Sequence, residues 1–180
     1  MNEILIHKSY RLRVQLISII ESLANVFDSD LFVENFVTIL NNLLVDPVFH
    51  VRESACKSLK NILVLLKFND KIINSIKEKL NEMRQSQNYL IRNTYILFLK
   101  ELVNNESSTA YIEKYLFEGL IKMTKDKMSN VRLNCGLVLK KLHSKIKSNN
   151  ISNELRNAIE ILKKDLDIDV INTISDINLI

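Results

Sequence analysis

The side chains that could do chemistry in this chain are few and widely separated. Its three histidines follow no metal-ligand spacing, and no Cys-x-x-Cys, His-Glu-x-x-His or Gly-x-Ser-x-Gly motif occurs. With only 2 glycines in 180 residues, a glycine-rich phosphate loop is excluded. We therefore predict no catalytic residue, no metal site and no cofactor, and we expect a protein that is not an enzyme. The histidines are His7, His50 and His143.

Four arginines, each preceded by an apolar residue, are by contrast spaced regularly. They are 39, 40 and 40 residues apart, and a fifth apolar pair follows 39 residues later without an arginine. A fixed period of this size indicates a stack of similar two-element units, and such stacks usually serve as surfaces that hold partners. The five pairs are Leu12-Arg13, Val51-Arg52, Ile91-Arg92, Val131-Arg132 and Val170-Ile171.

Each arginine lies near the start of a predicted amphipathic helix. Mostly apolar residues follow it at offsets of three, four, seven and ten, and these offsets line one face of an α-helix. Six residues before the arginine, three copies have an aspartate, whose carboxylate suits a turn or helix start because it accepts hydrogen bonds from free backbone N–H groups. The residues at that position are His7, Asp46, Ser86, Asp126 and Asp165.

A second helical pattern precedes each of the later turns, over 30–45, 69–84, 109–124 and 151–165. Two glycines and one proline are too few for a β-rich chain full of tight turns. We predict an all-α fold, an α-α superhelix built as a single domain of one half repeat and four helix pairs. The half repeat is 1–27, and the pairs are 28–67, 68–106, 107–148 and 149–180.

Nothing in the chain indicates secretion or a membrane span, because it has neither a signal peptide nor a long apolar run. Cys56 and Cys135 both fall on the predicted core face, so we expect two buried thiols in a reducing compartment. We predict a cytoplasmic protein, with the nucleus as a second location.

The net charge is mildly positive, +4, and the excess lysines lie late in the chain. They could form a patch for nucleic acid or an acidic partner. Solvated helix faces explain them better, because no aromatic side chains interleave with them to stack on bases. Nucleic acid is therefore a disfavoured partner. The lysines are Lys140, Lys141, Lys145, Lys147, Lys163 and Lys164.

The repeat pattern, an aspartate six residues before an arginine within a two-helix unit of about 40 residues, resembles HEAT repeats. The order of four segments along the whole chain also resembles the carboxy-terminal end of the scaffold (A) subunit of protein phosphatase 2A. The segments are SYRLRVQLISIIESLA (9–24), DPVFHVRESACKSLKNIL (46–63), NYLIRNTYILFLKEL (88–102) and MSNVRLNCGLVLKKL (128–142), followed by DLDIDV (165–170).

This resemblance implies a non-catalytic scaffold whose turns hold the catalytic subunit of a Ser/Thr protein phosphatase. Regulatory subunits are a further partner class, although the family binds them through amino-terminal repeats that have no counterpart here. Carried over by position, the partner-binding residues come from four turns. They are Tyr10 and Arg11, then Phe49 and His50, then Asn88, Tyr89 and Leu90, and finally Met128, Ser129 and Asn130.

Some of these assignments have a structural alternative. Tyr10, Phe49 and Tyr89 each stand three residues before an arginine, where an aromatic ring could bind a partner or pack between adjacent turns. The repeated arginines are expected to be structural, because HEAT arginines commonly pair with an aspartate of their own or a neighbouring turn, and a buried arginine without its carboxylate is costly. The set is Arg13, Arg52, Arg92 and Arg132, with Asp46 and Asp126.

The amino-terminal half repeat has a further consequence. Since Met1–Lys8 is too short for a full first helix, we expect the apolar face of the first arginine helix, including Leu16, Ile20 and Leu23, to be open, so that this end dimerises, aggregates or docks on another subunit. Two other function classes remain beside the phosphatase scaffold. One is a different HEAT-type adaptor, such as a related phosphatase regulatory subunit or a transport-type receptor. The other is an enzyme or nucleic-acid binder.

Overall fold

The computed structural model describes Leu5 and residues 7–145 and 149–178, and this part of the chain consists of helices and turns without a strand. The all-α prediction is confirmed. The chain divides into two compact units, Met1–Ser86 and Gln87–Ile180.

The described part of the first unit contains four helices. Asp28 begins the second of these by accepting hydrogen bonds from the amides of Asp30 and Leu31, and Asn69 caps the fourth. The helices are α1 (Tyr10–Leu23), α2 (Ser29–Phe32, a π-helical turn Val33–Val37, then Thr38–Leu43), α3 (Phe49–Leu65) and α4 (Asp70–Gln85).

The second unit repeats this plan. Its first short helix is preceded by a 3₁₀ turn, Glu106–Ser108, and again contains a π-helical turn. The helices are α5 (Tyr89–Val103), α6 (Thr109–Tyr111, a π-helical turn Ile112–Leu116, then Phe117–Met123), α7 (Ser129–His143), α8 (Asn149–Leu162) and α9 (Ile168–Ile174).

The arginine-bearing helices form the centre of each unit. In the first unit α1 packs against α3, and in the second α7 packs against both α5 and α9. The predicted core face is confirmed, since the residues seven positions after each arginine are all 0% exposed. They are Ile20, Leu59, Leu99 and Leu139.

Gly136 marks the closest approach between two of these helices. A Cβ atom at this position would lie 3.1 Å from Cγ2 of Ile174 and 3.3 Å from Cγ2 of Thr173. A glycine in mid-helix costs about 1 kcal/mol relative to alanine. Here it lets α7 and α9 pack at a distance that a larger side chain would prevent.

The exposed side of α1 is not the side predicted from the sequence. Leu16 and Ile20 are 3% and 0% exposed and Leu23 is half-buried, so the expectation of an open face at these residues is wrong. These side chains lie in the core because α3 packs on them. The apolar side chains that α1 leaves in solvent are Leu12 and Ile19.

The sequence predicts two buried cysteines. Cys56 and Cys135 are free and fully buried, as expected, and burial raises the pKa of the Cys135 thiol. Lys147, one of the late lysines, lies outside the described residues. Among the helices that the structure describes, none combines the length and apolar character needed to cross a membrane.

Candidate functional site

The turns that lead into α3, α7 and α9 each contain an aspartate held in one orientation by the backbone. In each case Oδ1 accepts a hydrogen bond from the amide two residues further on. The donor is Val48 for Asp46 at 2.8 Å, Met128 for Asp126 at 2.9 Å and Asp167 for Asp165 at 2.9 Å. This local hydrogen bond orients the carboxylate independently of any contact with another side chain.

Each of these aspartates is bound by the arginine of the preceding repeat. The distance from Nε of Arg13 to Asp46 is 2.6 Å and from Nη2 is 3.0 Å. Arg92 binds Asp126 at 2.6 and 2.8 Å. Arg132 binds Asp165 at 2.7 Å through both nitrogens. Two parallel bonds to one carboxylate give a charge-assisted pair of defined geometry.

The repeated arginines also hold the backbone of their own turns. Nη1 of Arg52 donates to the backbone oxygen of Asp46 at 2.7 Å, and Nη1 of Arg132 donates to that of Asp126 at 2.8 Å. Nη1 of Arg92 donates to the carbonyl of Gln87 at 3.1 Å. In Arg92 and Arg132 a single guanidinium group therefore links the turn of its own repeat to the turn of the next one.

The sequence does not indicate the direction of this pairing. Arg13 and Arg92 have no aspartate six residues before them. If each arginine paired with an aspartate of its own repeat, these two arginines would therefore lack this partner. The partners lie in the other direction, 33 and 34 residues further along the chain. Arg13 and Arg92 are accordingly paired, and their side chains are only 7% exposed.

The ionisation of these groups follows their surroundings. The hydrogen bond that Arg92 donates to Asp126 raises the pKa of Arg92, and the one that Arg132 donates to Asp165 raises the pKa of Arg132. Burial lowers the pKa of Arg52, which the charge of Asp46 only partly offsets. The hydrogen bond from Arg132 lowers the pKa of Asp165. For Asp126, burial raises the pKa, but hydrogen bonds from Arg92 and the Met128 amide outweigh it and the net shift is downward.

The predicted partner-binding residues of the first unit lie together at the starts of α1 and α3. The ring of Tyr10 meets that of His50 edge to face, with centroids 6.2 Å apart. The guanidinium carbon of Arg11 lies 6.0 Å from the Tyr10 ring centre. Phe49 is 54% exposed. Aromatic rings and an arginine therefore share one exposed surface, which we name the α1/α3 turn cluster: Tyr10, Arg11, Phe49 and His50.

In the second unit the predicted residues differ more in their surroundings. Tyr89 and Leu90 are exposed, at 36% and 41%, and Asn88 caps α5 by accepting a hydrogen bond from the Leu90 amide. In the next turn Met128 and Ser129 are half-buried. The remaining residue of that turn, Asn130, is exposed.

Ser129 has a structural partner that the sequence analysis missed. Its side chain hydrogen-bonds Asp167, and this contact lowers the pKa of the Asp167 carboxyl. Asp167 also caps α9. The signal available in the sequence was the run Asp165, Asp167 and Asp169, which places carboxylates at alternate positions of one turn.

The described residues contain no group of three or more His, Cys, Asp or Glu side chains that could hold a metal ion. The aspartates Asp46, Asp126 and Asp165 of the turns are already occupied by the arginine pairs. The exposed aromatic and polar side chains of the turns are therefore the part of the repeat that can contact another molecule.

Solved structures of designed repeat proteins are similar to this chain. A computationally designed armadillo repeat protein for modular peptide recognition is 16% identical, with a TM-score of 0.54 over 96% of this chain and 77% of that chain. An engineered protein of 16% identity gives a TM-score of 0.57 over 96% and 76%. A designed armadillo repeat protein in complex with the peptide (KR)4 is 15% identical, with a TM-score of 0.54 over 96% and 77%.

The fold is a helical-repeat fold of the armadillo/HEAT type. Comparisons with family models and with curated proteins give no match. The structural likeness, at 15 to 16% identity, extends to the fold and not to a particular partner.

Proposed function

We propose that this chain is a non-catalytic scaffold that binds the catalytic subunit of a protein phosphatase 2A-type Ser/Thr phosphatase through its turns. The observation that carries the proposal is the α1/α3 turn cluster, in which an arginine and aromatic rings are exposed on a rigid support. Such side chains dominate the binding energy of many protein interfaces.

The support of this cluster favours binding without a large ordering cost. Arg13 and Asp46 form a buried pair directly beneath the turn, and Arg52 donates hydrogen bonds to the backbone of the same turn. Because the backbone is already fixed, fewer degrees of freedom remain to be lost when a partner binds. Arg11 gives the cluster a positive charge, which suits a partner surface with acidic side chains, and Glu53 beside His50 is already paired with Lys57.

The resemblance of four segments, in order and in register, to the phosphatase scaffold supplies the identity of the partner. The fold alone fits any adaptor that binds proteins through repeat turns, so the phosphatase is the finer part of the proposal. A regulatory subunit is a second partner only if it contacts the repeats that this chain contains.

The test is binding of the purified chain to a protein phosphatase 2A-type catalytic subunit, measured by biolayer interferometry. The Tyr10→Ala/Arg11→Ala double variant should bind at least about 30-fold more weakly, since two central interface side chains each contribute about 1–2 kcal/mol or more. The matched control is Tyr115→Ala, because Tyr115 is as exposed as Tyr10 but lies on α6 outside the turns.

Three results would count against the proposal. A folded wild-type chain that does not bind contradicts the phosphatase assignment. Unchanged binding by the double variant, with an unchanged far-ultraviolet circular dichroism spectrum, contradicts the turn site. Equal loss in the Tyr115→Ala control shows that any exposed aromatic residue contributes, which removes the specific role of the turns.

A further inference from the structure

One repeat turn has a serine at the position where three others have an aspartate. In the three pairs described above, the aspartate follows its arginine by 33 or 34 residues. The remaining arginine of the series, Arg52, is followed 34 residues later by Ser86. Ser86 therefore takes the repeat position of an acidic side chain, and a serine is a residue that one covalent modification converts into an anion.

Arg132 shows the full set of contacts that an arginine of this series makes. Its Nη1 donates to the backbone oxygen of Asp126, six residues earlier, at 2.8 Å, and its Nε and Nη2 both donate to Asp165 at 2.7 Å. Arg52 makes the equivalent first contact, from Nη1 to the backbone oxygen of Asp46, six residues earlier, at 2.7 Å. With Nη1 held in the same way, the Nε–Nη2 edge of Arg52 corresponds to the edge that binds the next turn.

We propose that Ser86 is a phosphorylation site, and that Arg52 binds the phosphoserine as the other arginines bind their aspartates. In the modification, Oγ of Ser86 attacks the terminal phosphorus of a nucleoside triphosphate held by a protein kinase. The bond to the leaving diphosphate breaks, and the hydroxyl proton is released. The product carries about −1.5 to −2 charges at neutral pH and three strong acceptor oxygens. Arginine binds phosphate, like carboxylate, through two parallel hydrogen bonds.

The surroundings of Ser86 suit both the modification and the charge that it adds. α4 ends at Gln85, and Ser86 follows it half-buried, in an extended conformation with φ −58° and ψ 140°. The residues on either side, Gln85 and Gln87, are exposed. The nearest carboxylate along the chain is that of Glu82, which is paired with Lys79 at 2.8 Å. Repulsion of a phosphate by its neighbours in the sequence is therefore small.

The electrostatics of the arginines favour an anion in this turn. Burial lowers the pKa of Arg52, whereas the hydrogen bonds that Arg92 and Arg132 donate to their aspartates raise the pKa of both. An anion at the repeat position thus stabilises the charged guanidinium group. Because Arg52 is only 3% exposed, a phosphate attached to the adjoining turn reaches it more readily than an anion from solution.

The first experiment compares urea unfolding of the full 180-residue chain with and without phosphoserine incorporated at position 86 during synthesis. We expect the equilibrium constant for unfolding to fall at least about 10-fold, in the range of hydrogen bonds to charged groups. The control is phosphoserine at Ser107, which is exposed in the 3₁₀ turn before α6 and has Ile73 and Asn74, not an arginine, 34 and 33 residues before it. No gain at position 86, or an equal gain at both positions, would overturn the proposal.

The second experiment tests the contact with Arg52 by phosphorus NMR of the same two phosphorylated chains. The second pKa of the phosphate should be lower at position 86 than at position 107, because a guanidinium group favours the dianion. Arg52→Lys keeps the positive charge without the two-pronged geometry and should remove most of the gain in stability. Equal phosphate pKa values at the two positions would contradict the contact even if the Arg52→Lys chain did not fold.

The third experiment asks whether the modification is made. The protein is isolated from the cells that produce it, with phosphatase inhibitors present, and analysed by mass spectrometry in growing and in arrested cultures. We expect a fraction of the chains to carry phosphate on Ser86. Chains without phosphate at this residue in every culture would overturn its assignment as a phosphorylation site.

Discussion

The three repeat turns that contain an aspartate and the one that contains Ser86 make the same chain reversal. In all four, the amide at this position donates to the carbonyl three residues earlier. Asp46 and Asp126 donate to Leu43 and Met123 at 3.3 and 3.1 Å, and Ser86 donates to Met83 at 3.3 Å. The backbone of the turn therefore does not require the aspartate.

The difference lies in what the aspartate binds. Asp46, Asp126 and Asp165 each receive a two-pronged guanidinium group from the preceding repeat, whereas Ser86 has no carboxylate to offer. In the Ser86 turn, Asn88 provides the cap of the following helix instead. The aspartate therefore mainly fixes one repeat against the next, whereas the turn itself forms without it.

The largest expected effect comes from making an aspartate turn resemble the Ser86 turn. Asp126→Ser removes the carboxylate but keeps a small polar side chain, so the buried guanidinium group of Arg92 loses its counter-ion. Breaking such a pair costs about 3–5 kcal/mol of folding free energy. Urea unfolding followed by circular dichroism would measure the loss.

Ser86→Ala is the matched control for Asp126→Ser and should change the free energy of unfolding by less than about 1 kcal/mol. If both substitutions had the same small effect, the distinction between the two kinds of turn would be wrong.

A smaller effect is expected from acid. The pKa values of Asp126 and Asp165 are lowered in the folded state, so the unfolded chain binds protons first as the pH falls. The stabilisation is complete above the unfolded value of 3.8 and is lost as the pH falls through the lower folded value. Urea midpoints measured at successive pH values below neutral should therefore drop steeply only in the acid range.

Asp165→Asn provides the control for this acid effect. It should lower stability at neutral pH and flatten the acid limb, because one of the two titrating carboxyls is gone. An acid limb of unchanged steepness would show that other groups control the response.

The smallest effect is expected from the reverse exchange. Ser86→Asp places a carboxylate at the repeat position that Arg13, Arg92 and Arg132 use in their neighbouring turns. By the same register it should meet Arg52, whose pKa is lowered by burial. We expect a gain of about 1 kcal/mol in the free energy of unfolding, within the range of hydrogen bonds to charged groups. The gain should vanish in an Arg52→Gln background, and a gain that persists there would need another cause.

Much of the fold follows from spacing in the sequence. The 39 to 40 residue period predicts helix pairs, and the offsets from each arginine predict the residues that are fully buried, such as Leu59 and Leu139. These features are predictable because the period of a helix is a local property of the chain. The same spacing places Tyr10 and Phe49 at the starts of their helices.

Other features depend on neighbours and could not be read from spacing. The direction of the arginine pairs is decided by packing between repeats, since an aspartate six residues before Arg52 and one 33 residues after Arg13 are the same residue, Asp46. The π-helical turns in α2 and α6 have no signal that the periodicity detects. The prediction that Leu16 lies on an open face of α1 is wrong, because α3 packs against α1 and Leu16 is buried.

The most direct test of the forward pairing is a pair of double-mutant cycles centred on Asp126. We expect a coupling energy of about 2 kcal/mol or more between Arg92 and the Asp126 side chain, and the cycle with Arg132 serves as the comparison. We expect a much smaller coupling between Arg132 and that side chain, because Arg132 binds the Asp126 backbone oxygen at 2.8 Å. Strong coupling to Arg132 together with none to Arg92 would contradict the forward pairing and would show that the Asp126 side chain pairs with the arginine of its own repeat.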